Sequence, residues 1–448
     1  MISPDAVKEY VKDRCGYLGL NKQREISRLV FEIAKKYKID FKEVLDDALR
    51  RGDHRFSQLK RYLLKKRFPD ISEDKLFSSD FYLDLEIRPL VPANKLDGCS
   101  RFVPRRFFIE KDVANTVLVS RLKERFPQAV FSIIPSYKEY IRGRKVDEYE
   151  YNRRLEDFFI VKERFEFFQH CPCSRKSVSC NYHILNLGYG CGFECAYCIL
   201  QAYINFPGIL IPANIEDFLE RFLEYRKNIR LGTGQFTDSL VFDHITEYSV
   251  ELINFFRKYP STLFEFKTKS DNIQLLTTTR PADNIIVSWS LNPQYYIENV
   301  EFGTVSLEER FNAAIRCIDA GYRVGFHFDP IFYSSKWKDY YRPVVEELFN
   351  RVDSRRIAWI SLGCMRMTGR LKQLIESRFP DTEILNESFL KGFDNKLRYT
   401  IDVRKEIYSY MIKWIRLHDK DVIIYLCMED KLLYNICGLS LPKWRFIE

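Results

Sequence analysis

Apolar runs and helical stretches alternate along the second half of the chain. In one helical stretch, Ser306 and Glu309 form a capping box and Gly321 marks the end. Strands that are joined by helical crossovers pair in parallel. The pattern predicts an α/β fold with six strand–helix repeats in residues 181–380. The six apolar runs lie near residues 183–187, 229–232, 263–267, 285–290, 323–328 and 357–363.

The first 90 residues show a helical pattern instead. Ser3 and Pro4 form a cap and a first-turn proline, and apolar residues at helical spacing follow Asn21. Between residues 59 and 67, an apolar stripe runs beside several Lys and Arg side chains. We expect a basic helical module in residues 1–90.

Two shorter regions complete the predicted division of the chain. A strand–helix–strand pattern predicts a small α/β domain with a Cys-containing linker in residues 91–180. A helix followed by a strand predicts a C-terminal extension in residues 381–448. The segments that carry these predictions are 106–109, 113–125 and 129–134 in the former region, and 404–417 and 422–426 in the latter.

The composition is that of a folded protein. The chain has 448 residues, of which 46% are hydrophobic, and this is enough to bury a sizeable core. No apolar run approaches the roughly 18 residues that a membrane helix needs, and the N-terminus lacks the features of a signal peptide. Twelve cysteines in so large a chain are typical of reduced thiols. We therefore expect a cytoplasmic protein without a membrane span.

The formal net charge of +9 is concentrated at one end of the chain. Residues 1–67 contain 18 Lys and Arg against 10 Asp and Glu. Because Lys and Arg supply most contacts to phosphate, this module favours nucleic acid as a partner, with DNA preferred over RNA. A solvated charged face is the commoner structure with such a composition, and that alternative stays open.

Three cysteines at a C-x3-C-x2-C spacing follow the first predicted strand. Cys191, Cys195 and Cys198 lie within eight residues of one another. A cubane iron–sulfur cluster normally takes four cysteine ligands, so this triplet would leave one iron open to an outside ligand. A structural zinc site would need a fourth nearby ligand, which makes that interpretation weaker. The spacing therefore indicates a catalytic [4Fe–4S] cluster.

A second group of cysteines precedes the triplet. Cys171 and Cys173 flank a proline, and Cys180 follows. Their C-x-C-x6-C spacing is unusual for metal ligands, so an auxiliary cluster or metal site is a hypothesis beside that of three ordinary reduced thiols.

Around the triplet the chain resembles the radical S-adenosylmethionine (SAM) superfamily, and within it the spore photoproduct lyase family. The resemblance rests on Gly188-Tyr-Gly-Cys191-Gly-Phe-Glu-Cys195-Ala-Tyr-Cys198-Ile-Leu-Gln201 and extends over about residues 102–379. It includes Phe107-Phe-Ile-Glu110, Phe236-Thr-Asp-Ser239, Asp243-His244, Lys267, Trp289-Ser-Leu-Asn292, Gly303-Thr304, Ala320-Gly-Tyr-Arg-Val-Gly325 and Pro330-Ile331.

The resemblance implies a partial parallel (β/α)6 radical SAM barrel. It also implies that Cys191, Cys195 and Cys198 hold a [4Fe–4S] cluster, whose open iron binds the amino and carboxylate groups of SAM. One electron, supplied by a donor such as flavodoxin or ferredoxin, would then cleave the S–C5′ bond and give a 5′-deoxyadenosyl radical. In such enzymes the cofactors supply the chemistry, and the protein supplies binding and orientation.

Five further residues are candidates for contact with SAM. Lys267 and Ser290 match SAM-contacting positions of the family, and Tyr197 matches an aromatic that packs on the adenine. Asp238 and Ser239, at the end of the second strand, carry polar groups that suit the SAM amino group. As alternatives, Tyr197 is an ordinary core aromatic, and Lys267 and Ser290 point away from the pocket.

Two positions depart from the family pattern. Gln235 stands where we expect the cysteine that returns a hydrogen atom to the substrate, and an amide cannot replace a thiol in that step. Ile199 replaces a tyrosine directly after the third cluster cysteine. Cys364, at the end of the sixth predicted strand, is a candidate for a relocated donor, beside the commoner role of a buried structural cysteine.

These features predict a radical SAM enzyme similar to spore photoproduct lyase, a carbon–carbon lyase that repairs a thymine photoproduct in DNA. The substrate class favoured here is nucleic acid. Two alternatives stay open: radical modification of RNA, protein or a metabolite, and a non-catalytic iron–sulfur protein that binds nucleic acid or acts as a sensor.

Overall fold

Strands and helices alternate along most of the chain in a computed structural model. The structure describes residues 2–51, 54–77, 85–94, 103–144, 146–164, 168–173, 176–203, 206–224, 228–440 and 444. By its internal contacts the chain forms two units. The first, called the helical unit, comprises Met1–Ala93, Phe332–Ser334 and Met365–Arg404. The second, called the barrel unit, comprises Asn94–Ile331, Ser335–Cys364 and Lys405–Glu448.

Nineteen α-helices are formed by the described residues. They are α1 (Pro4–Cys15), α2 (Leu20–Tyr37), α3 (Phe41–Arg51), α4 (Phe56–Arg67), α5 (Glu73–Leu76), α6 (Val117–Arg125), α7 (Tyr137–Tyr140), α8 (Glu148–Asn152), α9 (Leu200–Tyr203), α10 (Ile215–Leu223), α11 (Asp243–Thr246), α12 (Tyr248–Phe256), α13 (Gln274–Thr278), α14 (Gln294–Val300), α15 (Leu307–Asp319), α16 (Trp337–Arg351), α17 (Gly369–Arg378), α18 (Ile401–His418) and α19 (Lys431–Ile436). Both predicted caps are present, because Ser3 accepts a bond from Ala6 N and Ser306 forms a capping box with Glu309.

Seventeen β-strands are formed by the described residues. They are β1 (Arg106–Glu110), β2 (Val130–Ile134), β3 (Asp157–Val161), β4 (Phe168–His170), β5 (Tyr182–Leu185), β6 (Glu194–Cys195), β7 (Ile209–Pro212), β8 (Arg230–Gly232), β9 (Leu263–Thr268), β10 (Ile285–Ser290), β11 (Glu301–Phe302), β12 (Arg323–Ile331), β13 (Ile357–Cys364), β14 (Arg366–Met367), β15 (Phe389–Lys391), β16 (Leu397–Tyr399) and β17 (Ile424–Leu426).

The six predicted strands form one parallel sheet in chain order. Its order is β17-β13-β12-β10-β9-β8-β5-β4, and every pair from β5 to β17 is parallel. The antiparallel strand β4 lies beside β5, and β17 from the C-terminal extension adds a seventh parallel strand. The predicted partial barrel is thus confirmed and extended at both edges.

Contacts among inward-facing side chains show that the sheet is curled. Trp359 Nε1 on β13 donates to Glu265 Oε1 on β9 across 3.2 Å, although two strands lie between them. Arg230 Nη2 on β8 donates to the Tyr425 hydroxyl on β17 across 3.0 Å. Strands in a flat sheet are about 4.8 Å apart, so neither contact would be reached without strong curvature. These residues therefore face a concave interior.

The concave face carries a buried ionic network. Glu265 lies 2.8 Å from Arg230 Nη2 and 2.7 Å from His327 Nε2, and it accepts from Ser288 Oγ across 2.6 Å. Rings of Trp359 and three further aromatic residues surround the Arg230 guanidinium within about 5 Å. Because a buried carboxylate needs compensating charge, Arg230 and Glu265 fix each other in the core of the barrel.

A second parallel sheet lies before the barrel in the same unit. Strand β1 pairs with β2 and β3, and β3 pairs with β7, all in parallel. The predicted strand–helix–strand pattern is confirmed by β1, α6 and β2. The fourth strand, β7, comes from residues that follow the cysteine triplet, so this sheet draws on residues beyond 180. The division of the chain into four domains stays a prediction.

The helical unit buries the apolar stripes of its first four helices. Val30 and Ile33 on α2 are fully buried, as are Val44 on α3 and Leu63 on α4. The N-terminal helical prediction is confirmed. Within residues 1–90, residues 1, 52–53 and 78–84 lie outside the described residues. No helix in the described parts of the chain is long and apolar enough to cross a membrane.

Candidate functional site

The triplet lies in a tight loop at the carboxyl end of β5. Gly190 has a φ of +96°, and a Cβ atom there would lie 2.7 Å from Ile209 Cδ1 on β7. Only glycine accepts both constraints. The loop is further held by the bond from Gly190 N to Phe236 O, 2.9 Å long. In a parallel α/β sheet, reactive groups gather at this end of the strands.

The three thiols are buried or partly buried and close enough to influence one another. Burial, together with the smaller effect of the negative charges of Asp238 and Cys198, raises the pKa of Cys191 to about 12. Burial likewise raises the pKa of Cys195 and of Cys198. Phe193 N, 3.5 Å from the Cys191 sulfur, donates to it. Buried thiols with backbone donors are the groups that give up protons to a bound cation, so this donor set fits an iron–sulfur cluster.

The number of thiols bears on the kind of metal centre. Within the described ranges, no three His, Cys, Asp or Glu side chains converge as ligands of one metal ion. A structural zinc ion closes its tetrahedron with four protein ligands. A cubane binds each thiolate through a different iron, so three cysteines hold it and leave one iron for an outside ligand.

Arg154 holds the triplet loop by three of its four hydrogen bonds. Its guanidinium donates to the carbonyl oxygens of Cys191 and Phe193 at 3.1 and 2.7 Å, and to Glu194 Oε2 at 2.6 Å. The fourth bond goes to Tyr151 O at 3.2 Å. Both Arg154 and Glu194 are buried. A fully hydrogen-bonded, buried ion pair fixes backbone geometry, so Arg154 determines where the loop presents its thiols.

A second polar network lies beside Cys195. Strand β6 pairs with β11, where Cys195 lies opposite Glu301. The buried Glu301 carboxylate accepts from the Tyr197 hydroxyl and from Asn292 Nδ2, the latter at 2.9 Å, and pairs with Arg310 at 2.8 Å. The Tyr197 hydroxyl is thus engaged with a carboxylate, which anchors the ring in the loop.

Lys269 is a cation of this network that acts on the thiols of the triplet. Its ammonium lies 5.8 Å from the centroid of the Tyr197 ring. Burial lowers the pKa of Lys269, but the negative charges of Glu301 and Cys195 outweigh it and the pKa is raised. Lys269 in turn lowers the pKa of Cys195 and Cys198, against the larger effect of burial. It therefore stays charged beside the thiols.

Lys267 lies two residues earlier and faces another part of the barrel. Its positive charge acts on His327 and lowers the pKa of that imidazole, after the larger effect of burial. Ser290 ends β10 and is buried, and its carbonyl accepts from Arg310 across 2.8 Å. Contact of Lys267 and Ser290 with SAM stays a prediction, and Lys269 is a further candidate that the sequence pattern did not single out.

Asp238 and Ser239 are occupied by bonds inside the protein. The Asp238 carboxylate accepts from the backbone N–H groups of Leu240, Val241 and Lys269 and from the Thr268 hydroxyl, at 2.7 to 3.1 Å. Ser239 Oγ accepts from Lys267 N at 2.9 Å and from Thr233 Oγ1 at 2.5 Å. In this structure both residues shape the end of β8 and its link to β9, so their role toward SAM stays a prediction.

Cys364 ends β13, as expected, and is almost completely buried at 2% exposure. Its backbone N–H donates to the Tyr408 hydroxyl across 2.9 Å, and that hydroxyl donates to Glu429 Oε1 across 2.8 Å. These contacts place Cys364 among residues of the C-terminal extension. They agree with a structural role, and hydrogen donation by Cys364 stays a prediction.

Gln235 comes directly before Phe236, whose carbonyl accepts from Gly190 N in the triplet loop. Phe236, Cys191 and Cys198 all pack against the buried residues Tyr151 and Leu200. The Gln235 Oε1 atom is buried and accepts no hydrogen bond in this structure. A buried acceptor without a donor is costly, so it marks a place where a ligand hydroxyl or N–H group would be favourable.

Arg154, Lys269, Glu301 and Arg310 are functional candidates that the sequence alone did not reveal. Arg154 precedes the triplet by 37 residues, and Glu301 follows it by about a hundred, so no local pattern links them. The sequence did contain a pattern that includes Lys269. Glu265 and Lys267 alternate along β9, and Lys269 follows two residues later, just after the end of the strand.

The comparison with known proteins decides the family. The family model for spore photoproduct lyase matches residues 102–410. The chain belongs to the spore photoproduct lyase family. This is a family of radical SAM enzymes, so the resemblance, the barrel and the enzyme class predicted from the sequence are confirmed.

Two curated relatives of this family match most of their own length. The spore photoproduct lyase of Clostridium acetobutylicum is 27% identical over 261 residues, which are 55% of this chain and 77% of that protein. The spore photoproduct lyase of Bacillus subtilis is 25% identical over 295 residues, which are 63% of this chain and 84% of that protein.

Solved structures of spore photoproduct lyase share the fold. A double mutant of that enzyme with bound AdoMet and dinucleoside spore photoproduct has a TM-score of 0.64 and 23% identity, and the match covers 73% of this chain and 100% of that one. A spore photoproduct lyase complexed with dinucleoside spore photoproduct has a TM-score of 0.63 and 24% identity, with the same coverage. At such identity the likeness concerns the fold alone.

Proposed function

We propose that this chain binds a [4Fe–4S] cluster through Cys191, Cys195 and Cys198 and reductively cleaves SAM. One observation carries the proposal: three buried or partly buried thiols lie in one clamped loop at the carboxyl end of the first barrel strand. The cluster and SAM together supply one-electron cleavage of the S–C5′ bond, which gives a 5′-deoxyadenosyl radical. The protein supplies position, charge and exclusion of water.

Residues around the loop have distinct parts in this proposal. Arg154 and Glu194 hold the loop backbone, and Glu301 holds the Tyr197 ring. Lys269 offers a cation for the SAM carboxylate, because a buried ammonium near a carboxylate forms a strong charge-assisted bond. Lys267 and Ser290 remain candidates for the same ligand, and Tyr197 for the adenine.

The substrate that we propose is a modified or damaged pyrimidine in nucleic acid, with DNA preferred over RNA. Family membership and the basic N-terminal composition support it. Several of the basic residues in α1–α4 pair with acidic side chains of the same unit, among them Lys60 with Glu25 and Lys66 with Asp47. These pairs reduce the free positive charge, so we expect phosphate binding to be moderate and sensitive to salt.

The expected position of the hydrogen donor is where this chain departs from the family pattern for photoproduct repair. Gln235 occupies the place where we expect the donor cysteine, and Cys364 is the candidate for a relocated one. If Cys364 donates hydrogen, Cys364→Ala retains SAM cleavage but loses the finished product. If Gln235 instead binds the substrate, Gln235→Ala weakens substrate binding and leaves cleavage of SAM without substrate unchanged.

Anaerobic reconstitution tests the proposed function. The protein is loaded with iron and sulfide, reduced with dithionite and incubated with SAM, and 5′-deoxyadenosine is measured by chromatography. We expect product from the wild type and none from Cys195→Ala, which removes one cluster ligand. Cys317→Ala is the matched control, since Cys317 is also buried but lies on α15, outside the triplet. It should retain cluster and product.

Substrate class is tested with the same assay. Dinucleoside spore photoproduct, irradiated DNA and RNA are added in separate reactions. We expect the compound of the correct substrate class to raise the amount of 5′-deoxyadenosine formed, and the others to leave it unchanged. A reconstituted wild type that carries a full cluster but forms no 5′-deoxyadenosine under any condition contradicts an enzymatic role. Salt-sensitive DNA binding without turnover would then point to the sensor or binding protein.

A further inference from the structure

Four cysteines outside the triplet are brought together in the barrel unit. Cys171 and Cys173 follow β4, Cys180 precedes β5, and Cys427 follows β17. We call them the linker–tail cysteines. They come from segments about 250 residues apart in the chain, and none of them is in a disulfide. The sequence grouped the first three, but only the fold adds Cys427.

The β4–β5 hairpin brings Cys171 and Cys173 into contact. His170 lies opposite His183 in the hairpin, and Cys171 N then donates to Tyr182 O across 2.9 Å. Cys173 N donates to Cys171 O across 2.7 Å, so the chain makes a tight turn at the proline between them. The two sulfur atoms lie 3.2 Å apart as a result.

An antiparallel contact brings in Cys427. Ser177 forms a bridge with Asp430, and Val178 N donates to Glu429 O across 2.8 Å. This contact places the segment that leads to Cys180 against the segment that follows the turn at Cys427 and Met428. Cys427 is fixed in turn by the bond from its N–H to Leu362 O, 2.7 Å long.

The electrostatic environment supports this convergence. The hydrogen bond with Cys171 raises the pKa of Cys173, and burial and the negative charges of Cys171, Cys427 and Cys180 raise it further. Cys171, Cys180 and Cys427 are thus all within electrostatic reach of Cys173. Thiols gathered in this way become favourable ligands once a cation is placed among them.

We propose that Cys171, Cys173, Cys180 and Cys427 form a four-thiolate metal site, separate from the catalytic triplet. Four thiolates select soft metals, so the occupant is a zinc ion or an iron–sulfur centre, which share this ligand chemistry. Among the described residues no set of three ligating side chains already closes around one ion. The sulfurs therefore close around the metal by rotation about their Cα–Cβ bonds.

The site would tie the linker before β5 to the segment after β17, which lies at the other edge of the parallel sheet. Cys180 precedes β5 and the triplet follows it, so the two cysteine sets lie at opposite ends of this strand. The proposed site is therefore structural rather than catalytic. Its existence does not depend on SAM cleavage.

Metal analysis tests the proposal on the full chain. Cys191, Cys195 and Cys198 are all changed to Ala, so that iron of the catalytic cluster is absent, and the protein is purified anaerobically. We expect metal to remain: either about one zinc ion per chain, or iron with inorganic sulfide. Adding Cys427→Ser to this variant should remove that metal, whereas adding Cys437→Ser should retain it. Cys437 lies in the same tail, ten residues further on.

A second variant keeps the test decisive if Cys427→Ser misfolds. Cys173 is only half-buried, so Cys173→Ser should fold with an unchanged circular dichroism spectrum. This variant should also lose the metal. In a separate experiment on the wild type, titration of the thiols with an organomercurial should release the metal to a chromogenic chelator. Absence of both zinc and iron from the triple variant overturns the proposal. So does metal that persists unchanged in both serine variants.

Discussion

Single residues decide how the triplet loop is presented. Arg154 donates to two carbonyl groups of the loop and to the buried Glu194 carboxylate. Closer in the sequence, Gln201 donates to Ala196 O across 2.7 Å, whereas the carbonyl groups of Cys191 and Phe193 are held by Arg154. The loop therefore depends on a side chain from an earlier segment, and its substitution should disturb the cluster without touching a ligand.

We predict that Arg154→Met loses most of its iron after reconstitution. The substitution breaks the buried ion pair between Arg154 and Glu194, which costs about 3–5 kcal/mol. Iron and sulfide per chain are measured, together with the circular dichroism spectrum. Arg153→Met is the control, because Arg153 is exposed and pairs with Glu156 at the surface. Equal iron contents in the two variants would disprove a positioning role for Arg154.

His327 gives the barrel core a predicted dependence on pH. Burial, together with the smaller effect of the positive charge of Lys267, lowers the pKa of His327 to about 4. The neutral imidazole bonds to Glu265 and Ser361 in the folded protein. Between about pH 6.5 and pH 4 the unfolded chain binds a proton that the folded chain does not, so stability is lost as the pH falls through this window.

We expect the free energy of unfolding of the wild type to fall by up to about 3 kcal/mol more than that of His327→Gln between pH 7 and pH 4. Glutamine retains a donor and an acceptor but does not titrate. Urea denaturation at several pH values measures the difference between the two proteins, in which other titrating groups cancel. Parallel curves would show that folding does not change the pKa of His327.

At the scale of elements, α2, α4 and α17 of the helical unit are joined by buried charges. Arg28 donates to Glu32 at 2.7 Å and to both oxygens of Glu376, and Glu32 also pairs with Arg67 and Lys372. All five are buried. Such a network contributes little net free energy when complete, but breaking it leaves uncompensated charge.

We predict that Arg28→Met destabilises the protein by about 3–5 kcal/mol, because Glu376 loses both of its bonds to Arg28. Lys38→Met is the matched control from the same unit. Lys38 also pairs with a glutamate, Glu383, at 2.7 Å, but at the surface, where such pairs contribute about 0–1 kcal/mol. The midpoints of urea denaturation are compared; similar midpoints for both variants would contradict this assignment.

At the scale of the whole molecule, the C-terminal extension is part of the barrel. The family match ends at residue 410, yet β17 pairs with β13 beyond it. Tyr425 on β17 accepts a bond from Arg230 in the concave network. The extension therefore completes the core of the catalytic barrel rather than forming a separate appendage.

We predict that a chain without residues 421–448 does not fold to a soluble protein. The deletion exposes the edge of β13 and leaves Arg230 with fewer partners in the core. Tyr425→Phe is the graded comparison and should cost about 1.5–3 kcal/mol, because only one hydrogen bond to a charged group is lost. A soluble truncated chain with wild-type stability would show that the extension is dispensable.

The sequence by itself determined the features that are encoded locally. The six barrel strands were predicted because each is an apolar run bounded by helical segments. All six lie in one sheet in chain order and pair in parallel, as the helical crossovers predicted. The caps at Ser3 and Ser306 were predicted because a cap depends on residues three positions apart. The cysteine triplet was recognised because its ligands lie within eight residues.

Only the tertiary structure decided which distant side chains complete the site. Arg154, Lys269 and Glu301 reach the triplet from three separate segments, and Cys427 joins the linker cysteines from the far end of the chain. The physical reason is that spacing along the chain records only neighbours within a turn or a strand. Contacts across a curled sheet depend on strand order, register and curvature, which arise when the whole barrel closes.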